Sequence, residues 1–381
     1  MNNEVLRAMR NAARQMPSGN LMDATREIQE NLQSMTPLRD SFGTPSGENP
    51  MPGSSSAWVR PVPESVIEGE CARVDIRSGR GQSPGTARPS ADSGEQFASG
   101  EFAHAGASLD YRLYIPPASV RNGSLLVMLH GCTQEATDFS TGTAMNTLAR
   151  HAGYTVLYPS QNSSANPNRC WNWFVPAHQQ RGAGEPALLG ALTQSICRRQ
   201  GLDPARVFVA GLSAGGAMAL ILAEEFPDIF AGVGVHSGLA TGLANSTPQA
   251  LRAMSGGGKP APLNPATLHR PTLVIHGEQD RTVHPQNAGV IVQRCLGRYR
   301  QQNSGGKLVY RSHDEPVGVH GAKRHEYRTH GGEIVCRHLQ LSSVGHAWSG
   351  GDARGSHTAT GGVSASESLL NFFGECPGLP R

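Results

Sequence analysis

Apolar positions along the chain fall into three regimes. In the first, Val5, Leu6, Met9, Ala12, Ala13 and Met16 recur at helical spacing. Pro17-Ser18-Gly19-Asn20 breaks the period, and Leu21, Ala24, Ile28 and Leu32 resume it. The spacing predicts two short amphipathic helices in a hairpin over residues 1–35. So small a pair is marginal alone. It would dock on the main domain, on another subunit or on a hydrophobic surface; the plainer reading is a tail without a role.

The second regime, residues 36–100, carries 9 Gly, 8 Pro and 11 Ser, and no period survives more than a few positions. Such a stretch buries too little to offset its ordering entropy and reads as a largely disordered linker. A short stretch at 66–76 is its one strand or docking candidate.

The third regime, residues 101–381, alternates two patterns. Apolar runs of strand length fall at 111–115, 124–129, 154–158, 206–210, 229–236, 271–276 and 334–341. Helical periods fall at 143–152, 188–196, 216–225, 287–295 and 364–373. The run Ser124-Leu-Leu-Val-Met-Leu129 has no polar alternation, as a strand buried on both faces requires. Strands alternating with helices predict an α/β fold, a mostly parallel sheet with helices on both faces.

Composition adds exclusions. The formal net charge is only +3, so the total carries no footprint for nucleic acid. No apolar run reaches transmembrane length. The start, Met1-Asn2-Asn3-Glu4, lacks a secretory pattern, which predicts a cytoplasmic chain. The 7 Cys include no Cys-x-x-Cys pair, which argues against a zinc ribbon.

The sharpest local signal is Gly211-Leu212-Ser213-Ala214-Gly215. It stands where a buried strand gives way to a helix, the place where a strained turn exposes a nucleophilic serine. A serine hydroxyl needs a base and an orienting acid, and on such a sheet these follow later strands in the order Ser, acid, His. Asp280 follows the strand ending at His276, with Glu278 as its rival. His346 follows the last strand. His236, His269, His276 and His284 also lie near strand ends and are read as structural, and Asp352 as a solvated loop carboxylate. An oxyanion would be received by the amides of Ala214 and Cys132, the latter in the loop leaving strand 124–129.

Five motifs then occur in order: Leu-His-Gly-Cys-Thr-Gln (129–134), Cys-Trp-Asn-Trp-Phe (170–174), Gly-Leu-Ser-Ala-Gly-Gly (211–216), His-Gly-x-x-Asp-x-x-Val (276–283) and Gly-His-Ala-Trp-Ser-Gly-Gly (345–351). Together they resemble the polyhydroxybutyrate depolymerase family of α/β-hydrolase esterases, relatives of feruloyl and acetylxylan esterases, over about residues 102–376. The resemblance implies Ser213, Asp280 and His346 as a triad, no metal or cofactor, and an ester polymer or oligomer as substrate. The nearest alternative is a carbohydrate-side esterase. A third is a granule-associated binding protein whose hairpin does the docking. Trp171, Trp173, Gln134 and Trp348 are the candidates for substrate contact, with packing under a loop as the alternative for the tryptophans. Family members are commonly secreted and disulfide-bonded, which implies an extracellular alternative. Cys132 with Cys170, and Cys295 with Cys336, are then the candidate pairs.

Overall fold

The computed structural model describes residues 94–315 and 321–380. The hairpin at 1–35, most of the linker and the segment 66–76 lie outside the described residues.

A continuous apolar run needs two buried faces. β3 (Leu125–Leu129) is buried at all five positions. Leu125, Val127 and Leu129 enter one core, and Leu126 and Met128 enter the other. Its neighbours β4 (Thr155–Ser160), β5 (Val207–Leu212), β6 (Gly232–His236) and β7 (Thr272–Gly277) follow the same logic. With β10 (Ile334–Leu341) they form a six-stranded parallel centre in the order β4-β3-β5-β6-β7-β10.

Antiparallel pairs flank this centre. β1 (Gln96–His104) and β2 (Ala107–Ile115) join through β2–β4. β9 (Ala322–Arg328) and β8 (Val309–Glu315) join through β9–β10. Packed on one face are α3 (Gly184–Gln200), α4 (Ala214–Glu225), α5 (Thr247–Met254) and α6 (Gln286–Gln302). α1 (Ala136–Thr143), α2 (Met145–Ala152) and α7 (Ala365–Glu375) cover the other. No helix among the described residues is long and apolar enough to cross a membrane.

Three differences from the sequence reading have physical causes. The linker boundary expected at residue 100 falls inside β1, an edge strand whose outward residues need not be apolar. The helix expected over 143–152 is two helices, because Ala144 takes φ 50° and its amide closes on the Thr141 carbonyl. β8 and β9 read Val-Tyr-Arg-Ser-His-Asp-Glu and Ala-Lys-Arg-His-Glu-Tyr-Arg. Charged residues suit a partly solvated flank and a sheet edge, and they erase the apolar signal that marks a central strand.

Candidate active site

Parallel strands all present their C-terminal ends on one edge of the sheet, which is where ligands gather in such folds. Ser213 lies between the end of β5 and the start of α4, with φ 57° and ψ −119°. A positive φ is costly for a residue bearing a Cβ and persists only where the surroundings over-determine it. Here the Ser213 amide donates to the His236 carbonyl at 2.9 Å and its own carbonyl accepts from Ala217 at 3.0 Å. The glycine two residues on is required by close approach: a Cβ on Gly215 would overlap the Leu129 carbonyl oxygen. Ser213 keeps partial exposure while the rest of 211–220 is buried.

Asp280 and His346 come from the loops after β7 and β10, adjacent strands of the parallel centre. His346 Nδ1 lies 2.7 Å from Asp280 Oδ2. The other carboxylate oxygen accepts from the amides of Thr282 (2.9 Å) and Val283 (2.8 Å). His276 Nε2, 2.8 Å from the Val283 carbonyl, also lies 3.3 Å from Asp280 Oδ2. Burial would push this carboxyl up. Donation from His276, His346 and the Val283 amide outweighs it and holds Asp280 well below the usual carboxylate range. Glu278 instead accepts from Gln340 Nε2 at 2.6 Å, away from His346.

His236 ends β6 and ties the site together. Its carbonyl holds the Ser213 amide, and its Nε2 accepts the Ser349 amide at 3.2 Å from the loop that carries His346. Its ring stacks on Trp348 at 5.2 Å. Burial, then the neighbouring His276 and His346, push it down to about 3, so it is neutral at pH 7. His130 is equally enclosed. Its Nδ1 lies 2.7 Å from the Gly131 carbonyl and its Nε2 accepts the Gln161 amide at 3.0 Å. Burial lowers it to about 4.

The loop after β3 is held in an unusual shape. Thr133 has φ 66°, and its amide donates to Asn168. The amides of Gly131, Gln134 and Ser213 are likewise committed, to Gln134 Oε1, the Gly131 carbonyl and the His236 carbonyl. Those of Cys132 and Ala214, the two nominated from sequence, have no such partner among the described residues. A helix leaves its first amides without internal partners, and Ala214 opens α4. A disulfide joins Cys132 to Cys170 and staples this loop to the Trp171 segment. The second candidate pair is reduced: Cys295 and Cys336 are free thiols.

The four residues expected to touch substrate are all buried and packed within the protein. Trp171 is fully buried and donates its indole N–H to the His130 carbonyl at 3.1 Å. Trp173 packs edge-on against Phe174. Trp348 donates to Ser366 Oγ at 3.0 Å and meets Phe139 edge-on. Gln134 accepts the Gly131 amide at 3.0 Å and donates to Asp138 and the Ser356 carbonyl, both at 3.0 Å. All four brace the loops.

Reasoning from sequence missed Thr133 and His357, which meet above the loop (Oγ1 to Nε2 3.2 Å), His357 having φ 52°. It also missed Glu185. This buried carboxylate accepts from Gln161 Nε2 (2.5 Å), Asn172 Nδ2 (2.6 Å) and the Asn172 amide (2.7 Å), and so fixes the segment after Cys170. No local pattern marks these residues, because their partners come from distant loops.

Comparison with known proteins agrees with this architecture. The model of a family described as esterase PHB depolymerase matches residues 109–302, a span that includes Ser213 and Asp280. Poly(3-hydroxyalkanoate) depolymerase C of Paucimonas lemoignei is 34% identical over 244 residues, 61% of this chain and 57% of that protein. Feruloyl esterase B of Neurospora crassa is 31% identical over 140 residues, 35% of this chain and 47% of that protein. The chain thus spans about half the length of the curated relatives it matches. Among solved structures, an acetyl xylan esterase from Aspergillus awamori shares the fold, with a TM-score of 0.50 and 18% identity over 70% of this chain and 94% of that one.

Proposed function

The chain belongs to the PHB depolymerase esterase family, and on that premise we propose that it is a serine esterase working through an acyl-enzyme. The observation that carries this reading is that two features stand at the C-terminal ends of the parallel strands. One is a serine forced to φ 57° at a strand-to-helix turn; the other is a histidine 2.7 Å from a buried, anionic aspartate.

In this reading Ser213 Oγ attacks the ester carbonyl and His346 Nε2 takes its proton. Asp280 holds the imidazole with Nδ1 protonated and stabilises the imidazolium that forms. The amides of Cys132 and Ala214 receive the oxyanion, aided by the positive end of the α4 dipole. As the tetrahedral intermediate collapses, His346 returns the proton to the leaving alcohol. A water then repeats the sequence on the acyl group.

The first substrate class is short-chain hydroxyalkanoate oligomer or polymer, which the family and the Paucimonas relative's name support. The carbohydrate-side alternative, release of acetyl or feruloyl groups, is supported by the names of other relatives. The Cys132–Cys170 disulfide favours an oxidising compartment over the cytoplasmic one expected from the start of the sequence.

A fluorophosphonate probe tests the chemistry. It should label one serine per chain, Ser213, and leave Asp280→Asn almost unlabelled. Labelling elsewhere, or none in a folded protein, overturns the reading. Turnover of hydroxybutyrate trimer against feruloyl and acetylated xylo-oligosaccharides then selects the substrate class.

A further inference from the structure

The opposite edge of the sheet holds a second group of reactive side chains, unused by the chemistry above. Cys336 stands near the start of β10, in register with Thr272 at the start of β7. Cys295 reaches the same place from α6: its Sγ lies 3.5 Å from the carbonyl oxygen of Val335, the residue before Cys336. His269 Nε2 is 3.4 Å from Cys295 Sγ.

Cys295 lines a cavity of about 20 Å³ together with His269, Thr272, Glu224, Arg294 and Arg298. Room of that size suits a water-sized molecule. Cys336 does not line it. The cavity is cationic. Glu224 answers Arg298 at 2.8 Å, while the Nε–H groups of Arg294 and Arg298 are buried without a hydrogen-bond partner.

We propose that Cys295 and Cys336 form a peroxide-reactive dithiol: Cys295 is oxidised in the cavity and Cys336 resolves it to a disulfide. The cavity's size selects hydrogen peroxide over larger oxidants. The Cys295 proton passes to His269, and the thiolate attacks one peroxide oxygen. The O–O bond breaks, and the leaving hydroxide takes the proton back from His269 and departs as water, with the unpartnered Arg Nε–H groups beside it. Cys295 is then a sulfenic acid. The Cys336 sulfur attacks the Cys295 sulfur, the S–O bond breaks, and the hydroxide leaves with the Cys336 proton as a second water. Two thiols and one peroxide give one disulfide and two waters; sulfur is oxidised and peroxide oxygen reduced.

The other buried thiols lack this setting. Burial pushes Cys197 up to about 11 and raises Cys376 further. Donation from Cys336 outweighs burial at Cys295 and, with His269, draws its thiol well below the usual range. Oxidation would cross-link α6 to β10, the strand that leads to His346.

The test uses the full chain, reduced and desalted, then treated with a few equivalents of hydrogen peroxide. Remaining thiols are alkylated and the peptides mapped. Cys295 and Cys336 should lose alkylation together, at least tenfold faster than Cys197 and Cys376, and appear as one cross-linked peptide. In Cys336→Ser, dimedone should trap a sulfenic acid at Cys295. If that variant does not fold, the wild-type map still decides. Cys295 fully alkylated after treatment, or Cys197, Cys295, Cys336 and Cys376 oxidised at one rate, overturns the proposal. Neither readout depends on esterase activity.

Discussion

The two edges of the parallel sheet hold the same kinds of residue and treat them differently. At the C-terminal edge, Ser213, Thr133 and His357 sit at positive φ, and His130 and His236 are sealed in as neutral rings. At the N-terminal edge, Cys295, Cys336 and His269 meet on ordinary helix, strand and loop backbone beside a small cavity. The strands between are about six residues long, so the edges lie roughly 20 Å apart. Strain and buried polar bonding are concentrated where positions must be held to a fraction of an ångström. The far edge is free of that demand.

The sharpest way to break the contrast is Ser213→Gly. Turnover of a p-nitrophenyl acyl ester should fall about 10⁴-fold or more. Stability in urea should not fall and should rise by up to ~1 kcal/mol, since Gly accepts the positive φ. A variant that is inactive and also less stable would show that the turn is unstrained.

Asp280→Asn should lower kcat by about 10³–10⁴-fold, whereas Cys295→Ala at the opposite edge should change it less than about twofold. Comparable losses in both would merge the edges into one site.

Acid should weaken the fold through its buried histidines. The folded pKa values of His130 and His236, about 4 and about 3, lie below the unfolded value near 6.5, so between these values the unfolded chain binds more protons. Stability is therefore full above pH 6.5 and declines as pH falls toward 4. By pH 4.5 the loss should be roughly 2–3 kcal/mol for each ring. Urea midpoints unchanged between pH 7 and pH 4.5 would refute this. Asp280 adds little pH dependence in that window, because its carboxyl is held well below it when folded and the unfolded value, about 3.9, also lies below pH 4.5.

Smaller effects sharpen the picture. Gln134→Leu strips the Gly131 amide of its acceptor and should lower kcat about 10–100-fold with little change in KM. A rise in KM alone would instead make Gln134 a substrate contact. His276→Phe removes the second donor on Asp280 and should cost about tenfold in kcat, with His276→Gln restoring part of it.

The central strands were legible because burial on both faces writes an unbroken apolar run, as in 125–129. The Ser213 turn was legible because strand, glycines and helix are contiguous. β8 and β9 were not, since solvated side chains carry no apolar period. Trp171 and Trp173 show the limit most clearly. Their identity marks them as large and amphipathic, and only folding supplies the partners they pack on, the His130 carbonyl and Phe174.

Local chemistry thus set what any short segment can be: strand, helix, or the turn that exposes a serine. It also set the order Ser213, Asp280, His346 along the chain. The tertiary structure alone decided which carboxylate meets His346, which thiols pair and which histidines are neutral. Those outcomes depend on distances between residues tens to hundreds of positions apart, and on the loss of water around them. Neither quantity exists until the sheet has closed.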